Sequence, residues 1–401
     1  MPKHIVFCAD GTWNGPGQQG SPKDDPPSNV FKLYLSLAGD DAVDSQVYRS
    51  ANEQERLLRD ADGQLLQVAK YLHGVGDGDN KLVQLIGGAT GAGLITRIIR
   101  GYTYLSRQYR PGDAIHLVGF SRGAYTARAL AGLVNARGLL DATTQDLQDK
   151  DEAYRLGSAV WADYRREVCS RPGSEVTRMM RFERLLDELP GFFSRASRDI
   201  VRVPSVPIRT VAVWDTVGAM GIPEFSAAAA KLDDFRFTDT QLGRCVQRAF
   251  HAVAIDEQRV DFSPTLWDDD PRVTQLLFPG AHSDVGGGYP TEGGESGLSD
   301  GALQWMTERL TEQGVRFKDT PPMPVRPDAL GPSHGPWDQL PWRVLRQPDV
   351  RDGLQRESLR CHASVVQRWG QQVVLESEAK KRGVYAPTHI RPPADGPTPR
   401  G

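Results

Sequence analysis

The 401 residues are 39% hydrophobic and 25% charged, with 48 basic against 51 acidic side chains and a formal net charge of −3. That composition suits a soluble protein with a sizeable core, and its near-neutral balance excludes nucleic acid as an expected partner. No apolar run approaches the ~20 residues that cross a bilayer, and Met1-Pro2-Lys3-His4-Ile5 enters a strand without the apolar region of a signal peptide. Synthesis in the cytoplasm is the expectation. The length allows two or three domains, but α/β proteins often use it as one domain with insertions, and a single domain over residues 1–401 is expected. Cys8, Cys169, Cys245 and Cys361 lack metal-type spacing and read as reduced structural thiols. No metal or other cofactor is called for.

In chain order, residues 4–9 form a short apolar strand that runs into Asp10-Gly11-Thr12-Trp13-Asn14-Gly15. This is a turn at a strand's carboxyl end, where open α/β sheets place ligands. The N–H groups of Gly11 and Thr12 are candidate oxyanion donors. Asp10 either supports that loop, binds a cation, or caps the strand in a plain Asx-turn. Ser28 suits the N-cap of a helix carrying Val30, Phe31, Leu33, Tyr34 and Leu37. A second strand, 67–72, leads into His73-Gly74-Val75-Gly76. The glycine-rich run 87–93 precedes a helix, but it lacks the Lys-Ser/Thr of a phosphate cradle and reads as close packing over the sheet.

The centre of the chain is residues 113–128. They contain a G-x-S-x-G match, Gly119-Phe120-Ser121-Arg122-Gly123, behind the apolar run 114–118 and ahead of a small-residue helical face with Ala124, Ala127, Leu130 and Leu133. Strand, tight turn and helix are the context of a nucleophile elbow. Ser121 would stand on a sharp turn, with Gly119 and Gly123 lacking the Cβ that would keep strand and helix apart. The N–H of Arg122 would lie at the helix's positive end, beside a developing oxyanion.

Residues 141–202 are polar with two amphipathic patches, the second at 179–193. They read as a cap or lid, a surface that meets lipid, or an amphipathic helix on the core. The sheet then resumes. One strand, 208–214, ends at Asp215, another, 250–255, at Asp256, and a third, 275–278, precedes a glycine-rich loop with His282. A serine needs a base to take its proton, and the imidazole needs a carboxylate to fix its tautomer. His282, in its loop, is the candidate base, and His251 reads as a packed core residue. Strand counting slightly favours Asp256 over Asp215 as the acid. Asp284, two residues past the base, reads as loop support. Residues 315–401 form a Pro-rich, loop-rich extension of short elements.

The chain resembles the α/β-hydrolase family that includes the phospholipase effectors of type VI secretion systems. The resemblance is carried by Asp10-Gly11-Thr12-Trp13-Asn14, His73-Gly74-Val75-Gly76, the 119–128 elbow, Val213-Trp214-Asp215-Thr216-Val217-Gly218, Ile255-Asp256-Glu257-Gln258-Arg259 and Gly280-Ala281-His282-Ser283-Asp284-Val285-Gly286-Gly287-Gly288. It spans about residues 3–310 and implies an α/β-hydrolase-like fold, with a mostly parallel sheet, helices on both faces and a helical insertion. It implies a Ser121-Asp215-His282 esterase or lipase, favouring Asp215 because it sits in the Trp-Asp-Thr-Val block. Asp256 remains the alternative. As partners it implies a lipid or other acyl-ester substrate, a membrane surface, and an immunity protein or secretion apparatus, with export by a route that needs no cleavable signal. The long additional region that such effectors often carry for engaging membrane has no counterpart of comparable size here. A small-substrate esterase or amidase, or a catalytically silent binding module on the same fold, are the competing readings.

Overall fold

The computed structural model describes residues 2–11, 26–42, 53–74, 91–169, 200–217, 240–339 and 348–393. In chain order the strands are β1 (His4–Ala9), β2 (Asp40–Asp41), β3 (Glu53–Arg59), β4 (Leu65–Leu72), β5 (Ala114–Phe120), β6 (Leu139–Leu140), β7 (Arg202–Val203), β8 (Ile208–Trp214), β9 (Val246–Ala254), β10 (Val273–Phe278), β11 (Arg360–Cys361), β12 (Gln372–Glu376) and β13 (Lys381–Val384). Nine of them form one sheet in the order β11-β10-β9-β8-β5-β1-β4-β3-β2. From β4 through β1, β5, β8, β9 and β10 to β11 every pairing is parallel, and only β3 and β2 are added antiparallel at one edge. This is the expected α/β architecture.

The central strands β1, β5 and β8 are mostly apolar because both faces of the sheet are covered. Side chains alternate across a strand, so Ile5, Phe7 and Ala9 enter one hydrophobic cluster while Val6 and Cys8 enter the other. In the elbow strand, Ile115 and Leu117 face the first cluster, Val118 and Phe120 the second. The first face is covered by the helices Gly91–Gln108, Arg122–Arg137 and Lys150–Cys169, and the second by Asn29–Ser36 and Gly297–Glu312. Ser28 caps the helix Asn29–Ser36 as expected, its Oγ accepting from the Phe31 N–H at 3.2 Å. The histidine within β5, His116, is buried against His4 at 3.0 Å, and burial pushes its pKa down to about 3.

Two sequence expectations gain detail. In the 141–202 stretch, the described first half follows the core-packed alternative. Its helix Lys150–Cys169 buries Ala153, Leu156, Val160, Trp161 and Tyr164 in the same cluster as the elbow helix, which is core packing. The 179–193 patch lies outside the described residues. The described part of the 315–401 stretch consists of short elements that pair and pack with the sheet. Cys361 of β11 pairs in parallel with Leu277 of β10. Leu354, Leu359, Val365, Trp369 and Tyr385 then pack on Val253, Ile255 and Leu277. Arg368, with no exposed surface, donates to the carbonyls of Ala329, Gly331 and Val374. Among the described residues no helix is long and apolar enough to cross a membrane.

A core placement of the Lys150–Cys169 helix has a measurable consequence. Leu156→Ala should lower unfolding free energy by about 2–5 kcal/mol, read from the denaturant midpoint. A loss within about 0.5 kcal/mol would be that of a surface or lid residue.

Candidate active site

The elbow is forced by contact distances. A Cβ at Gly119 would lie 2.4 Å from the Gly123 carbonyl oxygen, and one at Gly123 would lie 2.1 Å from the Ala9 carbonyl oxygen. Strand β5, the elbow helix and the end of β1 therefore meet at a separation only glycine allows. Ser121 between them adopts φ 57° and ψ −124°, a region that non-glycine residues rarely enter. Such strain costs on the order of 1–3 kcal/mol and persists only where the surroundings over-determine it. Here the Ser121 N–H donates to the Trp214 carbonyl at 3.2 Å, and its own carbonyl accepts from Tyr125 at 3.2 Å as the helix begins.

Asp215 ends β8, the neighbouring strand, and also has positive φ, 36°. Its N–H extends the ladder to the Ala252 carbonyl at 2.7 Å. His282 begins the short helix His282–Gly286 after β10, and its N–H donates to Glu257 Oε2 at 3.2 Å. The two side chains meet, with His282 Nδ1 2.5 Å from Asp215 Oδ2. That contact puts the proton on Nδ1 and leaves Nε2 as the acceptor. Nε2 is buried and has no hydrogen-bond partner among the described residues. The ring is held between Phe120, the residue before Ser121, at 4.5 Å and the edge of Phe262 at 4.9 Å.

The electrostatics separate the two groups. Burial would push the Asp215 carboxyl up, but the Arg351 guanidinium, its hydrogen bonds and His282 outweigh burial and hold it well below the usual carboxylate range. Arg351 meets both carboxylate oxygens at 2.7 Å, and the Ala254 N–H reaches Oδ1 at 2.9 Å. For His282 burial dominates and lowers the pKa, opposed by the bond to Asp215. A neutral imidazole thus faces an ionised carboxylate. Glu257, buried but paired with Arg259 at 2.8 Å, is held down to about 2.

The alternative acid, Asp256, does not bond the imidazole. Its carboxylate accepts from the Gly280 N–H at 2.7 Å and the Tyr385 hydroxyl at 3.0 Å, so it pins the loop that carries His282. Strand counting favoured it because it ends the next strand, but the register turns it toward Gly280. Asp284 bonds the backbone beside His282, with Oδ2 accepting from the N–H groups of Ala281 at 2.9 Å and His334 at 3.0 Å. His251 is fully buried, accepts from the Thr216 N–H at 3.1 Å, and is pushed to about 3 by burial. It buttresses the Asp215 turn from the core.

The oxyanion donors divide. Arg122 opens the helix Arg122–Arg137, so its N–H belongs to the first turn, at the positive end of the dipole. Gly11 does not fill the same role in this geometry, because its N–H donates to Asp10 Oδ1 at 2.7 Å. Thr12 lies outside the described residues. Asp10 is buried, its Oδ2 accepting from Ser28 at 2.7 Å and Tyr71 at 2.6 Å, and burial pushes its pKa up to about 7. Sequence reasoning assigned no role to Glu257 and Arg259, although their spacing offered a local signal. It missed Arg351 altogether. Nothing around position 351 marks it, and 136 residues separate it from Asp215. Among the described residues no cluster of His, Cys, Asp and Glu is arranged to hold a metal.

The model of the type VI secretion phospholipase effector Tle1-like catalytic domain matches residues 3–309. An uncharacterized protein of Saccharomyces cerevisiae, YEL023C, is 26% identical over 276 residues, covering 69% of this chain and 34% of that protein. An uncharacterized protein from Pseudomonas aeruginosa is similar in structure at 18% identity and a TM-score of 0.44, covering 79% of this chain and 46% of its own. The Tle1 effector solved bound to the VgrG spike of the type 6 secretion system gives 17% identity and a TM-score of 0.34, covering 72% and 52%. The chain thus spans about a third of the curated relative and about half of each solved structure. The family match covers most of the chain, which belongs to the Tle1-like phospholipase effector family, over that family's catalytic domain.

Proposed function

We propose that the chain hydrolyses acyl esters of phospholipids through Ser121, His282 and Asp215. The observation that carries this reading is the 2.5 Å His282–Asp215 pair, whose imidazole packs on Phe120, the residue before Ser121 on its strained elbow. Asp215 and Ser121 end adjacent parallel strands, and His282 follows β10 on the same side of the sheet. His282 Nε2 takes the Ser121 proton as Oγ attacks the acyl carbonyl. Asp215 fixes the tautomer and stabilises the imidazolium. The N–H of Arg122, with a second donor from the Thr12 loop, receives the oxyanion. Collapse of the tetrahedral intermediate releases the lysolipid, which takes the proton from His282. Water, activated by the same imidazole, then frees the fatty acid.

Lipid as substrate is argued from the family, and ester hydrolysis from the residues. The family also supports a role as an effector delivered by a type VI apparatus, with a spike protein as carrier and an immunity protein as antagonist. The full chain should release fatty acid from phosphatidylglycerol or phosphatidylethanolamine vesicles, and Ser121→Ala should abolish that release. Turnover of a soluble short-chain nitrophenyl ester alone would favour a small-substrate esterase. Absence of Ser121-dependent turnover on both would favour a binding module.

Two further outcomes separate the residues. Asp215→Asn should lower kcat by about 10³–10⁴-fold through the wrong imidazole tautomer, whereas Asp256→Asn should cost less than about tenfold if it acts only on the loop. The pH profile has a definite sign. Only neutral His282 can accept the proton, and burial lowers its pKa from 6.5. The acid limb of kcat/KM should therefore lie below pH 6.5, with activity lost as pH falls through it. A limb above that value would contradict the buried, neutral base.

A further inference from the structure

We propose that Arg351 is a positioning residue of the hydrolytic centre, acting through Asp215 to orient His282 and to lower the basicity of its imidazole. The inference rests on the roles just assigned to Ser121, His282 and Asp215.

The geometry gives the first reason. Arg351 Nη1 lies 2.7 Å from Asp215 Oδ1 and Nη2 lies 2.7 Å from Oδ2, a two-pronged contact. The same two nitrogens donate to the Ala254 carbonyl at 2.8 Å and the Phe262 carbonyl at 2.6 Å. The guanidinium therefore ties Asp215 to the end of β9 and to the turn whose Phe262 ring borders His282. With the Ala254 N–H on Oδ1 and the imidazole on Oδ2, the carboxylate has no alternative orientation. A lysine could supply charge but not this paired fork.

Charge gives the second. An imidazolium beside an isolated buried aspartate gains the full attraction of the carboxylate. Beside an aspartate already matched by a guanidinium it gains much less. The other ionisable groups around His282 have partners of their own, although Glu257 and Arg259 also act on its charge. Glu257 is paired with Arg259, Asp284 with His334 at 2.6 Å, and Asp256 holds Gly280 and Tyr385. Beside burial, Asp215 has the strongest influence on protonation of the base, and Arg351 is the cation that meets both oxygens of that carboxylate. Arg351 also lies beyond residues 3–309, the span of the family's catalytic domain. The segment that follows this span thus supplies part of the centre itself.

The test uses the full chain and a fluorophosphonate probe, which needs no knowledge of the natural substrate. Ser121 Oγ bonds to phosphorus, fluoride leaves, and the serine proton passes to His282. The labelling rate is followed against pH, with Ser121→Ala as the blank. In Arg351→Gln the acid limb should move up by about one pH unit, as expected when one nearby charge is removed. In Arg351→Lys the limb should stay with wild type while the plateau rate falls. In an Asp215→Asn background neither Arg351 substitution should change the rate further, because Arg351 acts through Asp215. An unmoved limb in Arg351→Gln, or an equal loss of rate in the Asp215→Asn background, would overturn the proposal in favour of a purely structural tie. If the glutamine variant does not fold, as judged by circular dichroism and thermal melting, the lysine variant in the same cycle decides by that second criterion. Failure of wild type to label at Ser121 is a different result, and removes the triad reading instead.

Discussion

Asp215 is fully buried, and a lone carboxylate at such a position would cost several kcal/mol. Its four hydrogen bonds remove that cost and join parts of the chain that are remote in sequence. The Ala254 N–H comes from β9, the imidazole from the loop after β10, and the guanidinium from the segment before β11. Loss of one partner from a buried ion pair typically costs ~3–5 kcal/mol because the other charge remains without solvent. The interaction that would orient the base is therefore also one that holds the carboxyl-terminal third of the molecule to the sheet. Stability and chemistry share the same atoms.

The elbow solves a different problem, which is steric. Lifting the Ser121 hydroxyl clear of the sheet requires positive φ at a residue with a Cβ, and the surrounding backbone must hold it there. The close approaches at Gly119 and Gly123 provide that restraint. Gly286 extends it to the base, since a Cβ there would lie 1.9 Å from the Phe120 ring, which also packs on His282. The Phe120 ring, one residue before Ser121, is thus packed between Gly286 and the His282 imidazole.

Outside these two contacts the site is braced by buried polar groups that bond the backbone. Asp10, Asp256, Glu257 and Asp284 each accept from at least one loop N–H. Such bonds satisfy groups that would otherwise be stranded in the interior, and they fix irregular loops as firmly as the ladder fixes the strands. This explains why so many acidic residues cluster at the strand ends while Asp215 alone meets the imidazole.

Local pattern decided a good deal. Apolar runs ending in glycine-rich or acidic turns marked the strands, and the G-x-S-x-G context marked the elbow, because a tight turn between buried elements leaves few residue choices. The Ser-acid-His order brought out Ser121, His282 and two candidate acids at strand ends, and only the family resemblance, through the Trp-Asp-Thr-Val block, favoured Asp215 over Asp256. What the chain order left open was which acid meets the base, since register and strand twist choose between Asp215 and Asp256, and neither is written in the spacing. It left residues 150–169 open between a lid and the core, because an amphipathic face reads equally well as either, and it offered as an oxyanion donor the Gly11 N–H that Asp10 already holds. Arg351 was invisible, because a lone arginine in a loop acquires meaning only when folding carries it to a carboxylate 136 positions away. Sequence by itself set the elements and the residues that end them, through short-range sterics and periodicity; tertiary structure alone chose the partners, because electrostatic pairing of buried groups depends on distances that only packing creates.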